Sequence, residues 1–395
     1  MMLGNPTRVL MVSSLWPPAV LGGAETYAAG LAERLRSAGH EVGVVTLGVP
    51  GADVVGEVPP CPYRLDEFAS QPRWRRAIFH ALDLYRPATR RVIAEACQRF
   101  QPDVVHTHCV QGLSSLALEI PSRLGIGHVH TLHDYWLLCQ RASLVKRDGT
   151  ACEERCRSCR VISSSRNWQI ARHPPDVVIA VSEAIAAEHR QLPWVEPRLR
   201  VIHNPIDPEP HARPGTHDPL TFGYLGQVTK TKGVATLVEA FTRADLPRAR
   251  LVIAGDGSLR AELQAAGLHN VELPGWVDAA DREAFFAETD CLVVPSEWKD
   301  PAPLVVNEAR AHGIPVIGAR IGGIPELVAP ASQPLLFRSG DAAELGVRLA
   351  EFASAPDRYR GDRDDAPGWP EHLQAIQDAY ERARSTAVTR AAEKQ

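Results

Sequence analysis

Asp300-Pro301-Ala302-Pro303-Leu304-Val305-Val306-Asn307-Glu308-Ala309 is the stretch from which the rest of this chain is read. Two carboxylates stand eight positions apart across the start of a helix. Pro303 suits the first helical position, where a missing N–H costs nothing. The N–H groups of Leu304 and Val305 then head a positive helix terminus, which is an anion site. One carboxylate precedes that terminus and the other lies inside the helix. An anion flanked by two hydroxyl-binding carboxylates describes a sugar nucleotide. A plain helix start with acidic residues nearby has the same local pattern, so the surrounding segments carry the decision.

Strand and helix patterns alternate along most of the chain, which predicts an α/β fold with parallel sheets. Residues 8–13 form a short apolar run, like a strand buried on both faces. Leu21-Gly22-Gly23-Ala24-Glu25 is a glycine turn. A helical pattern through Tyr27, Leu31 and Leu35 follows and ends at Gly39. Residues 42–46 are the next strand. This βαβ unit puts a glycine loop at a strand's carboxyl end, the usual ligand position in open α/β sheets. Gly22 and Gly23 let backbone come close to a phosphate or an acceptor, because no Cβ intervenes; ordinary strand-to-helix turns use the same pair. Later strands are predicted at 104–106, 128–130, 177–181 and 201–203.

Residues 208–219 hold Pro, Gly, His and Arg and few apolar residues, and read as a linker. A second α/β half restarts at 221–225, with strands at 249–254, 271–273, 291–294 and 315–317. A polar region at 356–370 precedes a last helix from Glu371 to about Ala387.

The 395 residues suit two domains, and 45% hydrophobic with 23% charged residues is an ordinary globular composition. A net charge of −4 gives no reason to expect nucleic acid as a partner. No run of 18 apolar residues occurs, so no transmembrane helix is predicted. The first twelve residues lack the apolar core of a signal peptide, and a cytoplasmic location is the expectation. Eight cysteines in a chain of this length do not imply a disulfide scaffold.

Gly226-Gln227-Val-Thr-Lys-Thr-Lys232-Gly233 follows a strand and opens a helix with Leu237 and Ala240. A lysine beside a leaving diphosphate neutralises charge that grows in the transition state. Together with the first stretch, this segment resembles the signatures of glycosyltransferase family 4, the retaining GT-B enzymes. Asp300 stands for the first Glu of the family's E-x7-E motif, and Glu308 for the second. Lys232 fits the Lys of G-R-x-x-x-x-K-G, while Gln227 replaces the Arg, leaving Lys230 as the nearest cation.

The resemblance covers nearly the whole chain. It implies two Rossmann-like domains facing each other across a cleft: 1–207 on the acceptor side, a linker at 208–219, 220–370 for the donor, and a helix at 371–395 crossing back to the first domain. It implies that Gly226, Gln227, Lys232, Gly257, Val277, Asp300, Leu304, Val305 and Glu308 bind the donor. Glu308 would accept hydrogen bonds from ribose hydroxyls, Asp300 would hold the donor sugar, and Lys232 with the Leu304 and Val305 N–H groups would stabilise the departing diphosphate. Trp276, beside Val277, reads as core or a neighbouring wall. Glu326, after Gly322-Gly323, matches an acidic position of the family or caps a helix. His133 follows the strand at 127–131 where relatives place a histidine near the reacting centre, and is grouped with Lys232 and Asp300 as catalytic; Gly22 and Gly23 form the acceptor or phosphate loop.

His106 and His108 flank Thr107 and read as wall or structural residues, since His-x-His on a strand supplies no further ligands. Cys139, Cys152, Cys156 and Cys159 fall in one segment whose last three read C-x3-C-x2-C. They are compatible with a structural zinc, with free thiols or with a redox role. Cys61, Cys97, Cys109 and Cys291 read as isolated buried thiols. No Asp-x-Asp metal clamp is visible, and no cofactor is expected for catalysis. Segment 73–99 is arginine-rich with Ile78, Leu82 and Tyr85 at helical spacing. Relatives use such a helix to touch membranes, which makes peripheral contact on the cytoplasmic face an expectation beside a plain solvated helix.

The expected function is retaining transfer of a sugar from a UDP-, GDP- or other nucleoside diphosphate sugar to a hydroxyl acceptor: a glycan, a lipid-linked sugar or a natural product. The alternatives are a sugar-nucleotide epimerase of the same fold and a catalytically silent sugar-nucleotide-binding protein.

Overall fold

The computed structural model describes residues 6–20, 22–51, 53–60, 62–63, 67, 71–146, 148–152, 154–206, 216–359 and 368–393, with backbone alone at 279 and 280. Leu21, Cys61, Asp207, most of the predicted linker (208–215) and part of the polar region (360–367) therefore lie outside the described residues. Two compact units share the chain. The first comprises Met1–Ser143, Glu154–His203 and Pro370–Gln395, the second Leu144–Glu153 and Asn204–Trp369.

Among its described residues the first unit holds seven strands: β1 (Arg8–Val12), β2 (Glu41–Leu47), β3 (Val54–Val58), β4 (Val104–Thr107), β5 (Gly127–Leu132), β6 (Val177–Ala180) and β7 (Leu199–Val201). Their order is β3-β2-β1-β4-β5-β6-β7. Each neighbouring pair is parallel. The central strands are Val-rich and buried on both faces, as covered parallel sheets require. The connecting helices are α1 (Gly23–Ser37), α2 (Arg73–Leu82), α3 (Pro87–Phe100), α4 (Leu116–Arg123), α5 (Arg157–Ile170) and α6 (Glu183–His189). In α1, Tyr27, Leu31 and Leu35 are buried at a spacing of four, so one stripe faces the sheet. Pro87 opens α3, and its ring starts a new helix instead of kinking an old one.

β3 is a strand the sequence pattern does not announce. It follows β2 after six residues with no crossover helix, and its register shifts between Val44 and Val45. β7 begins at Leu199 and ends at Val201, so the strand predicted at 201–203 sits earlier.

The second unit holds β8 (Leu220–Leu225), β9 (Ala249–Ala254), β10 (Val271–Gly275), β11 (Cys291–Val294) and β12 (Val316–Gly318) in the parallel order β10-β9-β8-β11-β12. Its helices are α7 (Val234–Ala244), α8 (Arg260–Ala265), α9 (Ala279–Glu288), α10 (Leu304–Ala311), α11 (Ile324–Leu327) and α12 (Ala342–Ser354). Phe222 lies between Phe241 and Phe352, with ring centroids 6.2 and 5.8 Å away, so α7 and α12 pack on one face of the sheet. α13 (Trp369–Ala392) belongs to the first unit from Pro370 onward and is longer than the helix predicted from Glu371 to Ala387. Its Tyr380 OH lies 2.9 Å from His106 Nδ1, and its His372 Nε2 lies 2.8 Å from Tyr27 OH.

In each sheet the strand order reverses beside the first strand, between β1 and β4 and between β8 and β11. Chain leaving two adjacent strands at such a point spreads to either side and opens a crevice at their carboxyl ends, where open α/β sheets bind ligands.

Candidate functional site

The second unit builds its site at that switch point. Chain leaving β8 forms the loop from Gly226 to Gly233. Tyr224 OH donates to the Gln227 carbonyl at 2.7 Å and holds the loop's first turn. Residues Lys230–Lys232 make one tight helical turn, closed by Gly233 at φ +72°. A Cβ on Gly233 would lie 1.8 Å from the Pro295 carbonyl oxygen, so only glycine admits this crossing. Chain leaving β11 is stitched to the same loop. Glu297 N–H donates to Thr231 O at 2.9 Å, and Thr236 Oγ1 donates to Glu297 Oε1 at 2.5 Å.

The crossing brings Lys232 and Asp300 together, with Nζ 2.6 Å from Oδ2. The Asp300 side chain is 8% exposed and that of Lys232 26%. The ammonium also lies 5.1 Å from the Trp298 ring centroid, a cation–π contact. Asp300 is held from behind by the Gly322-Gly323 turn, whose Gly323 N–H donates to its carbonyl at 2.8 Å. A Cβ on Gly322 (φ +56°) would lie 2.3 Å from that carbonyl oxygen.

α10 starts at Leu304, with Pro303 as its cap; Pro303 is thus one position before the helix. Leu304 and Val305 supply the first two N–H groups at the terminus. Glu308 follows one turn later, where the Arg282 Nη2 of α9 donates to both of its oxygens, at 2.7 and 2.5 Å. Gly255-Asp-Gly257 folds against the first loop, with Val228 N–H donating to Asp256 O at 2.8 Å. Val277 packs against the unit's core. Trp276 is 78% exposed, which corrects its reading as core: the chain leaves the β10 edge strand there. Glu326 lies in the first turn of α11, whose cap residue Gly323 has no side chain to accept a bond.

The first unit gathers histidines. His133, just beyond β5, has Nε2 3.1 Å from His108 Nδ1, so one ring donates and the other accepts. His106 Nε2 lies 2.8 Å from Thr131 Oγ1. Burial pushes His133 down to about 3, and holds His106 and His108 well below the ordinary histidine value. All three rings are neutral near pH 7. Burial pushes the Asp134 carboxyl up to about 6. His108, His130, His133, Asp134 and Trp136 line a small cavity.

The loop after β5 is fastened by a buried ion pair without a sequence motif. Arg166 Nη2 lies 2.9 Å from Asp83 Oδ2, and Trp136 Nε1 donates to the same oxygen at 2.8 Å. The guanidinium lies 3.6 Å from the Trp136 ring centroid. Gly22 caps α1, its N–H donating to Glu25 Oε2 at 2.9 Å, and a Cβ there would meet nothing within 4 Å.

Three of the four cysteines compatible with zinc lie side by side, Cys159 meeting both the Cys139 and the Cys156 side chains. Cys139 and Cys159 bring their sulfurs to 3.9 Å, while the exposed Cys156 thiol pairs with Ser158 Oγ at 3.2 Å at the start of α5. No group of three or more His, Cys, Asp or Glu suited to a metal exists among the described residues. Cys97 and Cys291 are buried, whereas Cys109 is half-buried, which corrects its reading as buried.

Known proteins agree with this architecture. Residues 21–210 match glycosyltransferase family 4, and residues 219–354 match glycosyl transferases group 1. The chain belongs to this glycosyltransferase family. It is 27% identical to the glycogen synthase of Mycobacterium tuberculosis over 376 residues, 88% of this chain and 86% of that one. Sucrose-phosphate synthase from Thermosynechococcus elongatus superposes with a TM-score of 0.73 at 20% identity, over 96% of this chain and all of the other. Anabaena HepE, solved with UDP and glucose, gives 0.68 at 19% identity over 95% and 99%. The two α/β units are those of the GT-B fold, and the protein is a glycosyltransferase. Among the described residues no helix is long and apolar enough to cross a membrane.

Arg282, Trp298, Asp83 and Arg166 escaped the sequence reading. None lies in a recognisable motif, and each acts through a partner distant in sequence.

Proposed function

We propose that this glycosyltransferase is a retaining enzyme whose second unit binds a nucleoside diphosphate sugar and whose first unit takes a hydroxyl acceptor. The Lys232–Asp300 pair at the switch point carries the reading. A diphosphate set against the Leu304 and Val305 N–H groups meets a cation already anchored by a carboxylate. Asp300 accepts from the donor sugar's hydroxyls, and Glu308 from the ribose. As the bond from the anomeric carbon to phosphate oxygen breaks, Lys232 stabilises the growing negative charge. The acceptor oxygen bonds to the same face of that carbon, and its proton passes to the departing phosphate oxygen. No general base is then required. Neutral His133 offers a hydrogen bond on the acceptor side. HepE, solved with UDP, supports a nucleoside diphosphate donor and makes UDP-sugars the first to assay.

Contact with a membrane surface is part of the same proposal. Around the arginines of α2 and α3, Trp74 is 64%, Ile78 41% and Tyr85 52% exposed, a combination suited to anionic lipid headgroups. Co-sedimentation with anionic but not neutral vesicles is the expected result.

The transferase reading is tested with a panel of nucleoside diphosphate sugars and hydroxyl acceptors. Nucleoside diphosphate should appear at turnover rates only when an acceptor is present, and NMR should show the donor's anomeric configuration kept. Isomerisation of donor without acceptor would favour an epimerase, and an inverted product would reject retention.

A further inference from the structure

Arg282 has no place in the motifs, yet it makes the closest contacts to Glu308. One guanidinium nitrogen spans both carboxylate oxygens, at 2.7 and 2.5 Å. The same two helices are joined further along by Glu283 Oε2 at 3.2 Å from His312 Nε2, and by Phe286 stacked on His312 at 4.6 Å. His312 Nδ1 in turn lies 2.8 Å from the Glu308 carbonyl oxygen. The backbone of Glu308 is thus fixed by α9–α10 packing, and its carboxylate by Arg282.

A glutamate side chain on a helix surface samples several rotamers, and ordering it costs conformational entropy. A carboxylate offers about four lone-pair directions, two on each oxygen. The single Nη2 takes the lone pair that each oxygen turns toward the other, which leaves the outer lone pair of each oxygen, and these two diverge. One such outer lone pair can accept from one ribose hydroxyl.

We propose that Arg282 is a positioning residue for donor recognition. It holds the Glu308 carboxylate so that an outer lone pair accepts from the 2′-hydroxyl of the donor's ribose. The proposal rests on the reading of Glu308 as the ribose acceptor. Arg282 itself touches no substrate, and its effect is on ribose selectivity and not on the chemical step.

The test measures affinity by calorimetry for UDP, 2′-deoxy-UDP and inorganic pyrophosphate, or the analogous set for whichever base the wild-type chain prefers. The wild type should prefer the ribonucleotide by about tenfold or more, the size of a lost hydrogen bond to a charged group. Arg282→Gln should shrink that preference below about threefold and leave pyrophosphate binding unchanged. Donor KM should rise while kcat stays within about twofold. Arg282→Lys, which keeps a cation without the planar grip, should fall between and serves if Arg282→Gln does not fold. Full ribose preference in both variants would overturn the proposal. A parallel loss of pyrophosphate binding would also overturn it, because loosened helix packing would then be the cause. Glu308→Gln separates the two readings. If the wild type discriminates and Glu308→Gln discriminates equally, the ribose role of Glu308 fails. If Glu308→Gln loses discrimination and the Arg282 variants keep it, only the present proposal fails.

Discussion

Arg166 and Asp83 stand 83 positions apart in the chain and meet at 2.9 Å, each side chain 1% exposed. Two charges taken out of water are costly unless each is fully paired. Here the pair is extended by Trp136, which gives Asp83 a second donor and Arg166 an aromatic face. The carbonyl of Trp136 also accepts from Arg166 Nη1. The network therefore fixes the loop that begins at His133. Asp83→Ala or Arg166→Met should each cost about 3–5 kcal/mol, because one buried charge is left alone. The double change Asp83→Leu with Arg166→Met should recover most of that loss. Urea unfolding of the three variants checks both expectations, and an additive double variant would reject the paired reading.

Lys232→Ala should lower kcat by about 100-fold or more and donor affinity by less, since the charge it meets grows as the glycosidic bond breaks. Gln227→Arg should be tolerated, because Gln227 is exposed and restores no lost packing. Steady-state kinetics with a separate binding measurement distinguishes the two effects. Abolition of activity by Gln227→Arg would show that the loop is filled differently from the family pattern.

Gly233→Ala should destabilise the protein by more than about 1 kcal/mol, because it needs a positive φ and would press on the Pro295 carbonyl. It should also lower kcat, since Lys232 is the preceding residue. Gly22→Ala is the control: its φ of −167° is extended backbone, and its Cβ position is open. Its cost should stay near or below 1 kcal/mol. Comparable losses in both variants would mean that local glycine geometry does not set the lysine.

Much of the second unit could be read from residue types. The strand predicted at 249–254 is β9 with the same bounds, because an apolar run between turn residues leaves little choice. The loop containing Lys232 and the turn containing Asp300 were legible because glycine and proline punctuate them. Their meeting at 2.6 Å was not, since it depends on β8 and β11 being neighbours in the sheet. β3 was missed because Val-Val-Gly-Glu-Val is short and follows β2 without a helical pattern between. The cysteine spacing is compatible with a zinc set, free thiols or a redox role, and spacing alone does not say which way each thiol turns. Cys156 turns to Ser158 at its helix start. Arg282 was invisible for a related reason: an arginine on a helix is ordinary, and its partner lies 26 residues away.

The last prediction concerns acid. Burial lowers the proton affinity of nine histidines in the first unit: 40, 80, 106, 108, 128, 130, 133, 189 and 372. In the unfolded chain each takes a proton near the ordinary value of about 6.5. In the folded protein His189 and His372 wait until about 4, and His130 and His133 until about 3. Between those values the unfolded state binds more protons, so stability rises with pH and is lost as pH falls from 6.5 toward 4. Each histidine adds about 1.4 kcal/mol per pH unit to that slope at most. Asp134 opposes it, because its raised carboxyl value of about 6 stabilises the folded state on acidification, but it is outnumbered. Unfolding free energy should be flat from about pH 7 to 8 and fall steeply below 6. His189→Phe isolates one contribution. His189 stacks on Tyr135 at 5.9 Å with the rings 9° from parallel, and phenylalanine keeps that stacking while removing the proton site. The variant should match the wild type within about 1 kcal/mol near pH 8 and lose stability less steeply below 6, by about one proton's worth. An unchanged acid slope would show that His189 is not held neutral by burial.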